Sequence, residues 1–215
     1  MKKSDLNAVL SAAATAVDKR FKRTDLISER ADTALGFPTA WVSTGALVLD
    51  RLCRGWIPGG VPLGRIVHIA GEWSTGKSLL LDHLFHSTHE MGGLTCCIET
   101  EGSRDPHFAA AIGLDLTKLH ILRPETLEQA IDAFLEWHDT IRKHPNGKQI
   151  PVLGGLDSID SGTTERASAT GLSEGGGYHY GGGKSEVLGE GLRQIAQRTA
   201  RYPTVFVLLN QTREN

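Results

Sequence analysis

The chain has 215 residues, 40% of them hydrophobic and 22% charged, with a formal net charge of −2. These values fit one globular domain with a substantial core and exclude a protein that holds nucleic acid by bulk positive charge, so any DNA contact has to be local. The longest apolar runs, such as Val205-Phe206-Val207-Leu208-Leu209, are far too short to span a bilayer, and no membrane partner is expected.

The N-terminus, Met1-Lys2-Lys3 before an alanine-rich stretch, superficially resembles a signal or transit peptide, but it lacks an apolar centre and carries Asp5 and Asp18. Leu6, Val9, Leu10, Ala13, Val17 and Phe21 instead recur at helical spacing after Ser4, a candidate N-cap. That stripe needs a burial site, on the same chain or on a neighbouring copy. The cluster Lys19, Arg20, Lys22 and Arg23 reads as a solvated face or as a nucleic-acid contact. Residues 1–36 form an N-terminal helix and linker, and residues 37–215 the main domain.

From about residue 38 short apolar runs alternate with helical periods, the pattern of an α/β protein with a mainly parallel sheet flanked by helices. Strands are predicted at Ile66–Ala70, Leu94–Ile98, Leu119–Leu122, Val152–Leu156 and Thr204–Leu209. A helix running through Leu84 ends at Gly92-Gly93, and a short one over Asp105–Ile112 closes at Gly113. Longer helices are marked by Leu127, Ile131, Phe134, Leu135 and Ile141, and by Val187, Leu188, Leu192 and Ile195. Before the latter lies a glycine-rich span, residues 175–183, containing Tyr178, His179 and Tyr180. Cys53 and the adjacent Cys96 and Cys97 have no metal-ligand spacing, and neighbours on one strand face opposite ways, so all three are expected to be buried, reduced thiols of a cytoplasmic protein.

The chemistry-bearing segment is Gly71-Glu72-Trp73-Ser74-Thr75-Gly76-Lys77-Ser78, a complete G-x-x-x-x-G-K-[ST] motif between the strand Ile66–Ala70 and the apolar start of a helix. In that context backbone N–H groups of the turn and the helix N-terminus converge on a phosphate. Lys77 would reach the β- and γ-phosphates of ATP, and the Ser78 hydroxyl would be a ligand of the bridging Mg²⁺.

Further groups fall at strand ends, where ligands bind in open α/β sheets. Asp157 follows Val152–Leu156 and fits either a partner for Mg²⁺, usually through water, or a turn cap with Ser158. Gly154 and Gly155 before it imply a close approach by another group, because glycine otherwise weakens a strand. In Glu99-Thr100-Glu101, alternation sends both carboxylates to one face; Glu101, nearer the strand exit, is the candidate to orient the attacking water, against a plain solvent loop. Asn210-Gln211 can sense a γ-phosphate or serve as turn amides.

Ser43-Thr44-Gly45-Ala46-Leu47-Val48-Leu49-Asp50, the approach Pro62-Leu63-Gly64-Arg65-Ile66-Val67, Ile98-Glu99-Thr100-Glu101 with Asp105-Pro106 and Phe108, Leu156-Asp157-Ser158, and Leu209-Asn210-Gln211-Thr212-Arg213 together resemble the RecA recombinase family in order and spacing. The resemblance implies a RecA-like P-loop ATPase core, preceded by a helix that packs on the adjacent protomer. It implies ATP-dependent strand exchange between single-stranded DNA, held in a homopolymeric filament, and homologous duplex DNA. Glu101 matches the family's catalytic glutamate, alongside Lys77, and Gln211 the residue that couples the γ-phosphate to the second DNA loop. Asp105 and Phe108 match positions that contact adenine, with phenylalanine where the family commonly has tyrosine.

The two DNA loops of the family map to the segment after Asp157, with Arg166, Tyr178, His179, Tyr180 and Lys184, and to the segment from Gln211, with Arg213. Charges in the first cancel, so contact there would rest on backbone amides and aromatic stacking; a plain solvent loop is the other reading. Trp73 and the long glycine-rich loop mark a divergent, phage-type member. The match breaks off early in the second loop, which implies a truncated chain, since Val205–Leu209 is too apolar for a sheet edge. A non-catalytic nucleotide-binding regulator or capping subunit of a recombinase filament, and a RecA-fold hexameric motor, are the alternatives.

Overall fold

A computed structural model describes residues 3–22, 38, 40–55, 58–102, 104–169 and 183–212. Two compact units are present, Met1–Phe37 and Pro38–Asn215. In the first, α1 spans Lys3–Phe21. It starts ahead of Ser4, which therefore lies inside the helix and is not its cap. The side chains of Leu6, Leu10 and Phe21 lie outside the described residues, while Val9 is exposed and Val17 half-buried.

The second unit begins with the short strand β1 (Trp41–Val42), the helix α2 (Leu47–Arg54) and β2 (Val61–Pro62), which pairs antiparallel with β1. No periodicity in the sequence had marked these elements. In α2 the usual pattern is inverted, with Leu47, Val48 and Leu52 exposed and Asp50 buried. Asp50 closes the preceding turn, accepting from Ser43 Oγ at 2.6 Å, Thr44 N at 2.7 Å and Thr44 Oγ1 at 2.6 Å. Burial pushes its carboxyl upward, but these hydrogen bonds outweigh burial and hold it below the usual carboxylate range.

The remaining strands and α-helices among the described residues are β3 (Arg65–Gly71), α3 (Lys77–Glu90), β4 (Leu94–Glu99), α4 (Pro106–Ala111), β5 (Leu119–Leu122), α5 (Leu127–Lys143), β6 (Val152–Asp157), α6 (Glu165–Ala169), α7 (Lys184–Arg201) and β7 (Thr204–Gln211). The strands β3 to β7 form one parallel sheet in the order β3-β7-β6-β4-β5. The apolar β7 is thus interior, between β3 and β6, as its lack of polar alternation requires. Among the described residues β3 and β5 are the two edges, and the partly exposed side chains of both suit that place.

Two apolar layers sandwich the sheet. On one face Leu81, Leu84 and Phe85 of α3 pack with Cys97, Val205, Val207 and Leu209. On the other, Leu127, Phe134 and Ile195 from α5 and α7 pack with Cys96, Phe206 and Leu208. The period of two along β4 and β7 sends successive side chains to opposite layers, and the two adjacent thiols part accordingly. Both are buried, which pushes the Cys97 thiol up to about 12 and leaves it inert, whereas Cys53 on α2, expected to be buried as well, is exposed because that helix turns its outer face to solvent. Gly154 and Gly155 lie back to back at the centre. A Cβ on Gly154 would sit 2.3 Å from Phe134 Cε2, and one on Gly155 2.8 Å from Leu81 Cδ1. The close approach that the glycine pair implied comes from core side chains, not from a ligand. Among the described residues no helix is long and apolar enough to cross a membrane.

Candidate functional site

The C-terminal ends of β3, β4, β6 and β7 converge on one side of the sheet, and each delivers one part of the site. β3 runs into residues 72–76, where Ser74 (φ 55°) and Gly76 (φ 86°) adopt left-handed conformations that curl the backbone before α3. Gly76 is the residue immediately before the helix, and its positive φ is the physical reason for glycine there. Thr75 Oγ1 donates to the Glu72 carbonyl at 2.9 Å, while Lys77 Nζ donates to the carbonyls of Gly71 at 3.0 Å and Glu72 at 2.6 Å. The lysine therefore closes over the turn. Trp73 projects outward at 72% exposure and takes no part in the core.

Ser78, in the first turn of α3, stands beside the carboxylate of Asp157 at the end of β6. Burial raises the Asp157 pKa above the ordinary carboxylate value, with the neighbouring Ser78 hydroxyl and the Arg104 charge opposing it. A hydroxyl and a carboxylate side by side beside an amide-lined turn form the hard oxygen set that Mg²⁺ takes, so the residues present fit the metal and a triphosphate.

Glu99 and Glu101 part company, contrary to the expectation from alternation, because β4 ends at Glu99 and the chain turns. Glu99 is buried and accepts from Arg104 N at 2.8 Å and Arg123 Nε at 3.1 Å, a structural role. Glu101 lies exposed in the turn, and its Oε1 accepts from Ser158 Oγ at 2.6 Å, Ser161 Oγ at 2.7 Å and Gln211 Nε2 at 3.3 Å. Thr100, between them, stitches the turn to β6 through the carbonyls of Asp157 and Ser158. Asn210 Oδ1 is buried with no partner among the described residues.

The structure thus brings Ser78 to Asp157, and Glu101 to Gln211. Asp105 caps α4, accepting from His107 N at 2.8 Å and Phe108 N at 3.3 Å, and Phe108 presents a half-exposed ring. Of the residues assigned to DNA, Arg166 is exposed on α6 and Lys184 opens α7, with Nζ donating to the Asp160 carbonyl at 2.8 Å. Tyr178, His179, Tyr180 and Arg213 lie outside the described residues.

Sequence reasoning missed Asp82, Arg104, Asp160 and Ser161. Asp82 lies one helical turn beyond Ser78, among the buried Leu81, Leu84 and Phe85, and pairs with Arg104; both side chains are nearly fully buried. A lone acid in an apolar helical stripe is the signal that asks for a buried cation. Arg104 also lies over the Phe85 ring, 5.6 Å from its centroid, and Nε and Nη2 have no partner among the described residues. It tethers the turn bearing Glu101 to the helix bearing Ser78.

The RecA N-terminal domain family matches residues 8–215. Protein RecA of Rubrobacter xylanophilus is 34% identical over 98% of this chain and 56% of its own length. Protein RecA of Latilactobacillus sakei is 30% identical over 100% of the chain and 56% of its own, and that of Chlamydia trachomatis serovar D 30% over 98% and 55%. The chain spans about half the length of the curated relatives it matches.

Proposed function

Because the chain belongs to the RecA family, matched from residue 8 to residue 215, we propose that it is the DNA-dependent ATPase core of a cytoplasmic recombinase. It binds single-stranded DNA as a filament of its own copies and pairs it with homologous duplex DNA in recombination and repair. The observation that carries this reading is the meeting of Glu101 with Gln211 at 3.3 Å, beside the turn that ends in Lys77 and Ser78. A carboxylate able to orient water and an amide able to sense phosphate in contact with each other support the reading.

Lys77 and the backbone amides of residues 72–77 hold the β- and γ-phosphates of ATP. Ser78 and Asp157 hold Mg²⁺, which when bound neutralises phosphate charge. Two serine hydroxyls and the Gln211 amide fix Oε1 of Glu101, leaving Oε2 to accept the hydrogen bond of the attacking water. Asp105 and Phe108 border the adenine. Arg166, Tyr178, His179, Tyr180, Lys184 and Arg213 serve the DNA, and the N-terminal helix docks on the next copy.

The test is calorimetry with Mg-ATP and steady-state turnover with and without single-stranded DNA. Losing the charge-assisted phosphate contacts in Lys77→Ala weakens ATP binding by about 2–3 kcal/mol, roughly 30–150-fold. Glu101→Gln leaves binding unchanged and stops turnover. Tight binding without turnover in the unaltered chain would favour a regulatory or capping subunit, and unchanged turnover in Glu101→Gln would remove that residue from the chemistry.

A further inference from the structure

Asp160 ties together segments that are remote in sequence. Its carboxylate Oδ2 accepts from the backbone N–H of Gln211 at 2.9 Å, and its own carbonyl accepts from Lys184 Nζ at 2.8 Å. The same turn reaches Glu101 through the hydroxyls of Ser158 and Ser161, and Ile159 N donates to the Leu209 carbonyl at 3.0 Å.

Ladder geometry explains why an acid is needed there. The Leu209 carbonyl and the Gln211 N–H face the β6 side, but β6 ends at Asp157, so no strand carbonyl is left to accept from Gln211. Asp160 supplies the acceptor. Lys184 gives an independent indication. A cation in the first turn of the 18-residue α7 opposes the helix macrodipole, so local preference does not place it there. Its head reaches back to the Asp160 carbonyl instead, and in sequence it directly follows the glycine-rich span.

We propose that Asp160 is a positioning residue that couples Gln211 to Lys184, so that engagement of Gln211 by a γ-phosphate is passed to the start of α7. This rests on the assignment of ATP to the 71–78 turn.

Hydrogen exchange of the full chain, compared between Mg-ADP and the slowly hydrolysed Mg-ATPγS, tests it without requiring turnover. In the unaltered protein ATPγS should slow exchange about threefold or more in residues 184–190 and 208–212 together. Asp160→Ala should keep the response at 208–212 and lose it at 184–190. Asp160→Asn, whose side-chain carbonyl still accepts from Gln211, should retain both. Lys184→Met breaks the link at its other end and should also lose the 184–190 response, which decides the matter should Asp160→Ala fail to fold. A response at 184–190 that survives both Asp160→Ala and Lys184→Met overturns the coupling. So does binding of both nucleotides with no difference at 184–190 in the unaltered chain. Failure of either nucleotide to bind would instead refute the assignment of the 71–78 turn, and the coupling with it.

Discussion

Replacing Arg104 with leucine would leave the Asp82 carboxylate, 6% exposed, with no cation beside it. Removing one partner of a buried pair costs about 3–5 kcal/mol. The carboxyl can escape only by protonating, which for an ordinary aspartate at pH 7 costs about 4 kcal/mol, from about 3 pH units at about 1.4 kcal/mol each. Burial already holds the Asp82 pKa above its ordinary value, with Arg104 opposing. Without Arg104 it rises further, and about 4 kcal/mol becomes a ceiling at pH 7 that falls by roughly 1.4 kcal/mol for each pH unit of acidification above about pH 5. The sign follows from the raised folded-state pKa: the native protein binds the proton more tightly than the unfolded chain, so stability declines as pH rises through that window. The double variant Asp82→Leu/Arg104→Leu buries no charge and should return to within about 1–2 kcal/mol of the unaltered protein. Urea denaturation of the three variants at pH 5 and 7.5 measures all of this. A double variant as unstable as Arg104→Leu, or a penalty in Arg104→Leu that does not change with pH, would refute the reasoning.

Gly155→Ala puts a methyl 2.8 and 2.9 Å from the two ends of Leu81 and should destabilise by about 1–3 kcal/mol. Because Leu81 lies one turn beyond Lys77, the variant should also weaken ATP binding, whereas Gly154→Ala, which meets Phe134 and Phe206 on the opposite face, should lower Tm without altering ATP affinity. Phe108→Ala should weaken adenine nucleotide binding about five-fold, for a lost stack worth about 1 kcal/mol, and Phe108→Tyr should leave it intact, as read by titration of a fluorescent ATP analogue. Burial lowers the pKa of His138, with Arg142 and Arg198 assisting against Asp139, so the unfolded chain takes up the proton first and stability should fall as pH drops below about 6.5. Asp50, held below the usual range, contributes stability that is present above about pH 4 and lost as pH falls through its folded-state pKa, a slope that Asp50→Asn should remove from the acid limb of a Tm profile.

The parallel sheet and its helices were legible because their signals are periodic: Leu119–Leu122 is found with the predicted bounds, and the other predicted strands extend by one or two residues. The turn over residues 71–78 was legible because glycine at a left-handed position and a lysine at a helix start form a contiguous pattern. What stayed hidden is relational. That β4 stops at Glu99, burying one carboxylate and freeing the next, depends on Thr100 bonding across to β6. The hydroxyls that hold Glu101 come from a turn 57 and 60 residues away, a distance no local period encodes. Asp50 carries no signal beyond its place in a family pattern, since nothing in its neighbours' hydrophobicity says that α2 turns its leucines outward.

The bare backbone at Gly154 and Gly155 leaves the sheet without insulation at its midpoint. Elsewhere a layer of Cβ atoms separates the two packed faces; here Phe134 of α5 and Leu81 of α3 press on the same peptide plane from opposite sides. A rocking of α5, produced by anything that leans on its outer surface, has no compressible cushion to absorb it before it is felt by the helix that carries Lys77 and Ser78.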